Sequence, residues 1–164
     1  MPVVEEILEA NARYAEGFTN GELPALPTRR FAIVTCMDAR LDPAQYAGLA
    51  EGDANVIRNA GGVVSDDALR SLVISHWLLG TREVLVIGHT GCGMETFTDD
   101  QLRKKLAAET GADTSEIEFH SFPTVRDSVR ESVARIDESP LLPDSFAARG
   151  FVYDVKTGRL EEVL

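Results

Sequence analysis

Two short runs constrain this chain most: Phe31-Ala32-Ile33-Val34-Thr35-Cys36 and Val84-Leu85-Val86-Ile87, rich in β-formers and apolar at consecutive rather than alternate positions. A strand without a polar face must be buried on both sides, the pattern of a parallel sheet lying between helices. Between the runs, Asn55-Val56-Ile57-Arg58 reads as a further short strand. Ser65 to Leu79 carries Leu69, Leu72, Val73, Ile74, Trp77 and Leu78 before Gly80, which predicts a core helix with a glycine stop. Thr98-Asp99-Asp100-Gln101 has the form of a capping box opening a helix that ends near Gly111, and Val125, Val129, Val133 and Ile136 mark another before Pro140. Strands alternating with helices predict an α/β fold: a mostly parallel central β-sheet flanked by helices, its strands joined by right-handed crossovers.

Both ends of the chain add to this frame. Val4, Ile7, Leu8 and Tyr14 fall near helical spacing within an acidic segment from Met1 to Ala15, so residues 1–28 read as an N-terminal helical arm and a Pro-containing connector. Phe151 to Val155 and Leu160 to Val163, either side of Lys156-Thr157-Gly158-Arg159, read as a C-terminal edge hairpin. The 164 residues fit a single domain, 1–164, and their 44% hydrophobic and 26% charged content suits a packed core without disulfides.

A net charge of -11 opposes polyanionic partners, so neither nucleic acid nor an anionic membrane is expected. The surplus of Asp and Glu reads as a solvated surface. With no basic-then-apolar leader and no apolar run near 18 residues, the expected location is cytoplasmic. There the two cysteines stay reduced, available for burial, metal ligation or catalysis.

Sites in open α/β sheets form beyond the carboxyl ends of the strands, so the residues after each buried run come first. The first run leads into Cys36-Met37-Asp38-Ala39-Arg40; if this segment stays extended, Cys36, Asp38 and Arg40 line one side. The second leads into Gly88-His89-Thr90-Gly91-Cys92-Gly93, whose glycines allow a turn that faces His89 and Cys92 to one point. Alone, a strand-end cysteine reads as a buried apolar residue, and His-x-x-Cys occurs by chance. Together they spend both cysteines at matching ends of two buried strands. Two thiolates and one imidazole suit zinc and leave a fourth position open, the arrangement of a catalytic site.

These residues carry a resemblance. Cys36-x-Asp38-x-Arg40, Arg58-Asn59-Ala60-Gly61-Gly62 and His89-x-x-Cys92-Gly93 together resemble the motif set of the β-class carbonic anhydrases, from about Phe31 to Met94 and, less sharply, at Tyr153-Asp154-Val155. The short chain is similar to the compact, archaeal-like subgroup. The resemblance implies one zinc per chain on Cys36, His89 and Cys92, with Asp38 and Arg40 as a catalytic dyad. The implied reaction is reversible hydration of carbon dioxide to bicarbonate and a proton by hydroxide on the zinc. It implies a homodimer or higher homo-oligomer, and an off-state in which Asp38 leaves Arg40 to become a fourth zinc ligand. Gly91 stands where relatives often have Asp, which leaves the ligands intact and removes one carboxylate.

Zinc carrying two thiolates is formally near neutral and acidifies water less than a three-His site, so Arg40 is expected to hold Asp38 ionised and aimed at the open position. Activity should then rise with pH. His76, within a predicted core helix, reads as packing rather than proton export, and His120, in a predicted loop, is only a minor candidate for that role. Gly61 and Gly62 read as a turn by default, and Trp77 as core. The rivals are hydrolysis of carbonyl sulfide or carbon disulfide on the same ligands, and a zinc or carbon dioxide sensing module closed by Asp38. A thiol redox protein is disfavoured, since no Cys-x-x-Cys occurs.

Overall fold

The computed structural model describes residues 2–163, so Met1 and Leu164, the ends of the expected domain, lie outside the described residues. Five strands form one sheet in the order β2-β1-β3-β4-β5: β1 (Phe31–Cys36), β2 (Ala54–Asn59), β3 (Glu83–His89), β4 (Ala147–Tyr153) and β5 (Leu160–Glu162). The first three pairings are parallel and β5 closes antiparallel on β4. β5 is the expected edge hairpin, although β4 starts earlier than the pattern suggested.

The helices are α1 (Val3–Glu16), α2 (Pro43–Tyr46), α3 (Asp66–Leu79), α4 (Asp99–Thr110) and α5 (Val125–Asp137). Their ends obey local chemistry. Ser65 caps α3 through the amide of Ala68, and Gly80 ends it in the left-handed conformation at φ 72°. Thr98 and Gln101 form the reciprocal capping box of α4, and Gly111 closes it at φ 70°.

Ala32, Val34, Val84, Val86 and Val152 face Leu72 of α3 and Val129, Val133 and Ile136 of α5 in the main core. Phe31, Ile33 and Ile87 point to the other face, under Tyr46, Ala47 and Leu49. The handedness rule explains this division. The chain moves one way from β1 to β2 and the opposite way afterwards, so right-handed crossovers put α2 on one face and both α3 and α5 on the other.

This layout corrects the reading of Ser65–Leu79 as a core helix. Only Ala68, Leu72 and Ser75 of α3 are buried, while Trp77, expected in the core, is 63% exposed beside exposed Ile74 and Leu78. Apolar residues nearly all round the helix signalled all-round burial, but the sheet covers one stripe only. α1 is an arm indeed: none of its residues is buried, and its base is fastened by Tyr14, whose hydroxyl donates to Glu51 at 2.6 Å.

Candidate metal centre

β1 and β3 are neighbours, yet the chain leaves them in opposite directions, toward β2 and β4. Their carboxyl ends therefore flank the topological switch point, where open α/β sheets leave a crevice. Cys36 is the last residue of β1 and His89 the last of β3. Cys92 arrives through a turn at Gly91, whose φ of 64° suits glycine. The donor atoms of Cys36, His89 and Cys92 lie within 4.8 Å of one another, and all three residues are buried.

The imidazole is set for ligation. His89 Nδ1 lies 3.0 Å from the carbonyl of Thr90, which only accepts, so Nδ1 carries the proton and Nε2 keeps its lone pair. Buried Nε2 has no hydrogen-bond partner among the described residues, a costly state that a metal ion removes. Thr90 is itself tied to the end of β4: its amide donates to Tyr153 and its hydroxyl accepts from the amide of Val155.

The sulfurs complement it. A hydrogen bond from Cys92 draws the Cys36 thiol well below its usual range against the opposing effect of burial, with help from the amides of Asp38 and Gly61. The same bond pushes Cys92, the donor, upward. The pair thus shares one proton, which an incoming cation displaces. Two sulfurs and a neutral imidazole form the borderline-soft set that fits zinc.

Asp38 stands beside this triangle, not in it. Its Oδ2 is 3.7 Å from His89 Nε2, and the carboxylate engages Arg40 by two bonds, Nε to Oδ1 at 2.9 Å and Nη2 to Oδ2 at 2.7 Å. The amide of Arg40 adds a third, so Asp38 is held well below the usual carboxylate range, chiefly by the Arg40 side chain. The extended segment expected here is replaced by a turn, closed by the Leu41 amide on the Asp38 carbonyl, and that curl lets Arg40 reach back. Arg40 Nη2 also donates to the carbonyl of Gly91 at 3.1 Å, which joins the two ligand-bearing loops.

Several contributors escaped sequence reasoning. Gly62, assigned to a plain turn, is a close-approach glycine: at φ 65°, its Cβ would lie 2.7 Å from the Cys36 nitrogen. Gly88 lets α5 press on β3 just before His89, since a Cβ there would meet Val125 Cγ2 at 2.5 Å. Glu95 accepts from the amide of Val125 at the start of α5. Only the paired glycines of the Arg58–Gly62 motif signalled any of this in advance. His76 is satisfied by packing, its Nδ1 2.7 Å from the Thr81 carbonyl, while His120 lies outside the cluster in a loop at φ 59°.

Buried soft donors at the switch point define an α/β protein with a cluster that could hold a metal ion. Comparison with known proteins narrows that class: residues 31–160 match the carbonic anhydrase family, and the chain belongs to it, in the β class. It is 48% identical over 163 residues to beta-carbonic anhydrase 1 of Mycobacterium tuberculosis, covering 99% of both chains. The crystal structure of a carbonic anhydrase from Streptococcus mutans superposes with a TM-score of 0.95 at 44% identity, covering 100% of this chain and 99% of the other. A carbon disulfide hydrolase of Acidianus is 29% identical over 185 residues, covering 98% of this chain and 90% of the relative.

Proposed function

We propose that the chain hydrates carbon dioxide reversibly to bicarbonate and a proton, with one zinc ion per chain on Cys36, His89 and Cys92. The observation that carries this is the buried donor triangle with the Asp38–Arg40 pair beside it, in a chain 48% identical to a beta-carbonic anhydrase along nearly its whole length. Zinc bound there supplies a Lewis acid that makes water a competent nucleophile near neutral pH. The protein's part is positional. Arg40 keeps Asp38 ionised and oriented, and Asp38 presents a fixed acceptor at the cluster's edge that aligns the attacking oxygen. With so depressed a pKa, Asp38 orients the nucleophile rather than keeping its proton, which passes to solvent.

A second reading, hydrolysis of carbon disulfide or carbonyl sulfide, is favoured by the similarity to carbon disulfide hydrolases, that of Acidianus among them. Parallel assays of one zinc-loaded preparation separate the two. Fast carbon dioxide hydration without sulfide release is expected, and sulfide release at the higher rate would reverse the assignment. A sensing module permanently closed by Asp38 is opposed by the engagement of that carboxylate with Arg40.

The working unit we propose is a homodimer. α1 exposes Val3, Val4, Ile7 and Leu8, each more than 60% accessible, and α3 exposes Ile74, Trp77 and Leu78. A second copy is the simplest cover for so much apolar surface. Two thiols that must stay reduced to hold zinc fit the cytoplasm, the location we propose. No helix of the described residues is long and apolar enough to cross a membrane.

A further inference from the structure

The stretch Arg58-Asn59-Ala60-Gly61-Gly62 supplies none of the converging donors, yet its side chains are committed to the loop that carries them. Arg58, near the end of edge strand β2, spreads its guanidinium over two carbonyls: Nε donates to Cys36 at 3.1 Å and Nη2 to Asp38 at 2.8 Å. The two carbonyls belong to a donor of the metal cluster and to the carboxylate residue beside it. Behind them, the Asn59 side chain locks its own turn, donating to the Val63 carbonyl at 2.7 Å and accepting from the Val63 amide at 2.9 Å. The Asn59 carbonyl receives the Met37 amide at 2.8 Å. The backbone from Cys36 to Asp38 is thus held at both ends and in the middle.

We infer that Arg58 is a positioning residue whose fork on the Cys36 and Asp38 carbonyls keeps the Asp38 side chain on Arg40 and off the metal. The inference rests on the reading of the cluster as a zinc site with Asp38 and Arg40 beside it. Asp38 Oδ2 is only 3.7 Å from His89 Nε2, so a small rotation of the 37–39 backbone carries the carboxylate to the donor triangle. Arg40, 54% exposed, bonds the Asp38 carboxylate but neither of the carbonyls that set the course of this backbone. Arg58 acts on the backbone instead. Charge-assisted bonds from a planar fork to two carbonyls of one turn fix their relative orientation, which a single ammonium cannot do.

The test uses full-length protein in which cobalt replaces zinc, with azide as the probe of the open coordination position. Wild type is expected to bind one cobalt per chain and to change its visible spectrum on azide addition. Arg58→Gln is expected to keep one cobalt, to need at least tenfold more azide for the same change, and to lose at least tenfold in kcat with KM for carbon dioxide nearly unchanged. Adding Asp38→Ala to Arg58→Gln should restore the azide response, a rescue that general loosening of the loop would not give. Should Arg58→Gln fold poorly, Arg58→Lys, with its charge but no fork, is expected to show the same pattern. An azide response in Arg58→Gln or Arg58→Lys within twofold of wild type overturns the inference, as does loss of cobalt from both or failure of the Asp38→Ala rescue. If wild type itself binds no cobalt, the fault lies with the metal-site reading and not with Arg58.

Discussion

A Cβ on Gly62 would stand 2.7 Å from the backbone nitrogen of Cys36, so the end of β1 and the turn after β2 touch backbone to backbone. Gly62 also sits at φ 65°, where L side chains are strained. Gly62→Ala should therefore cost about 1–3 kcal/mol. For a chain of this size that lowers the melting temperature by at least about 2 °C, with zinc content falling in parallel because the displaced residue is a proposed ligand. Calorimetry with metal analysis checks this; an unchanged melting temperature would show that the turn has room to move.

Arg40 holds Asp38 in place but offers no metal donor. Arg40→Ala should keep about one zinc per chain and lose activity on the order of a hundredfold, the scale set by removal of an oriented polar group at a reacting centre. Stopped-flow turnover per zinc reads it, and retained turnover would contradict the role given to Arg40.

The same pair has a pH signature. Asp38 has a folded pKa depressed below its unfolded value of about 3.9, so the stabilisation it gives is complete above that value and lost only as pH falls through the lower, folded one. The stability difference between wild type and Arg40→Ala, from urea unfolding, should be flat from about pH 8 to 5. A difference that shrinks within that window would mean that Asp38 titrates there. Turnover, by contrast, should rise with pH over this range, since Asp38 stays ionised throughout and deprotonation of the nucleophile sets the profile.

The proposed association uses a separate surface. Ile7→Glu with Leu8→Glu places two charges on the exposed apolar face of α1 and should convert a dimer to a monomer in analytical ultracentrifugation. An undisturbed dimer would move the interface elsewhere.

The fold was legible where burial left a one-dimensional trace. Consecutive apolar positions at Phe31–Cys36 and Val84–Ile87 marked strands covered on both faces, and the capping box at Thr98 and the stop at Gly80 marked helix ends by local chemistry. Cys36, His89 and Cys92 were legible because strand ends in such a sheet converge at the switch point. What stayed hidden depends on partners distant in sequence. Trp77 carried the periodicity of a core residue, but only a three-dimensional layer decides which stripe of α3 is covered. The turn at Asp38, the fork of Arg58 and the contact of Gly62 with Cys36 are set by the meeting of β1 with β2, which no local pattern records.

The most direct test of the central claim is carbon dioxide hydration, followed by stopped flow at mildly alkaline pH, on metal-free protein to which zinc is added stepwise. Turnover should climb linearly and stop at one zinc per chain, and Cys92→Ser should neither retain zinc nor turn over. Turnover independent of zinc, or a fully zinc-loaded protein without turnover, would contradict the account.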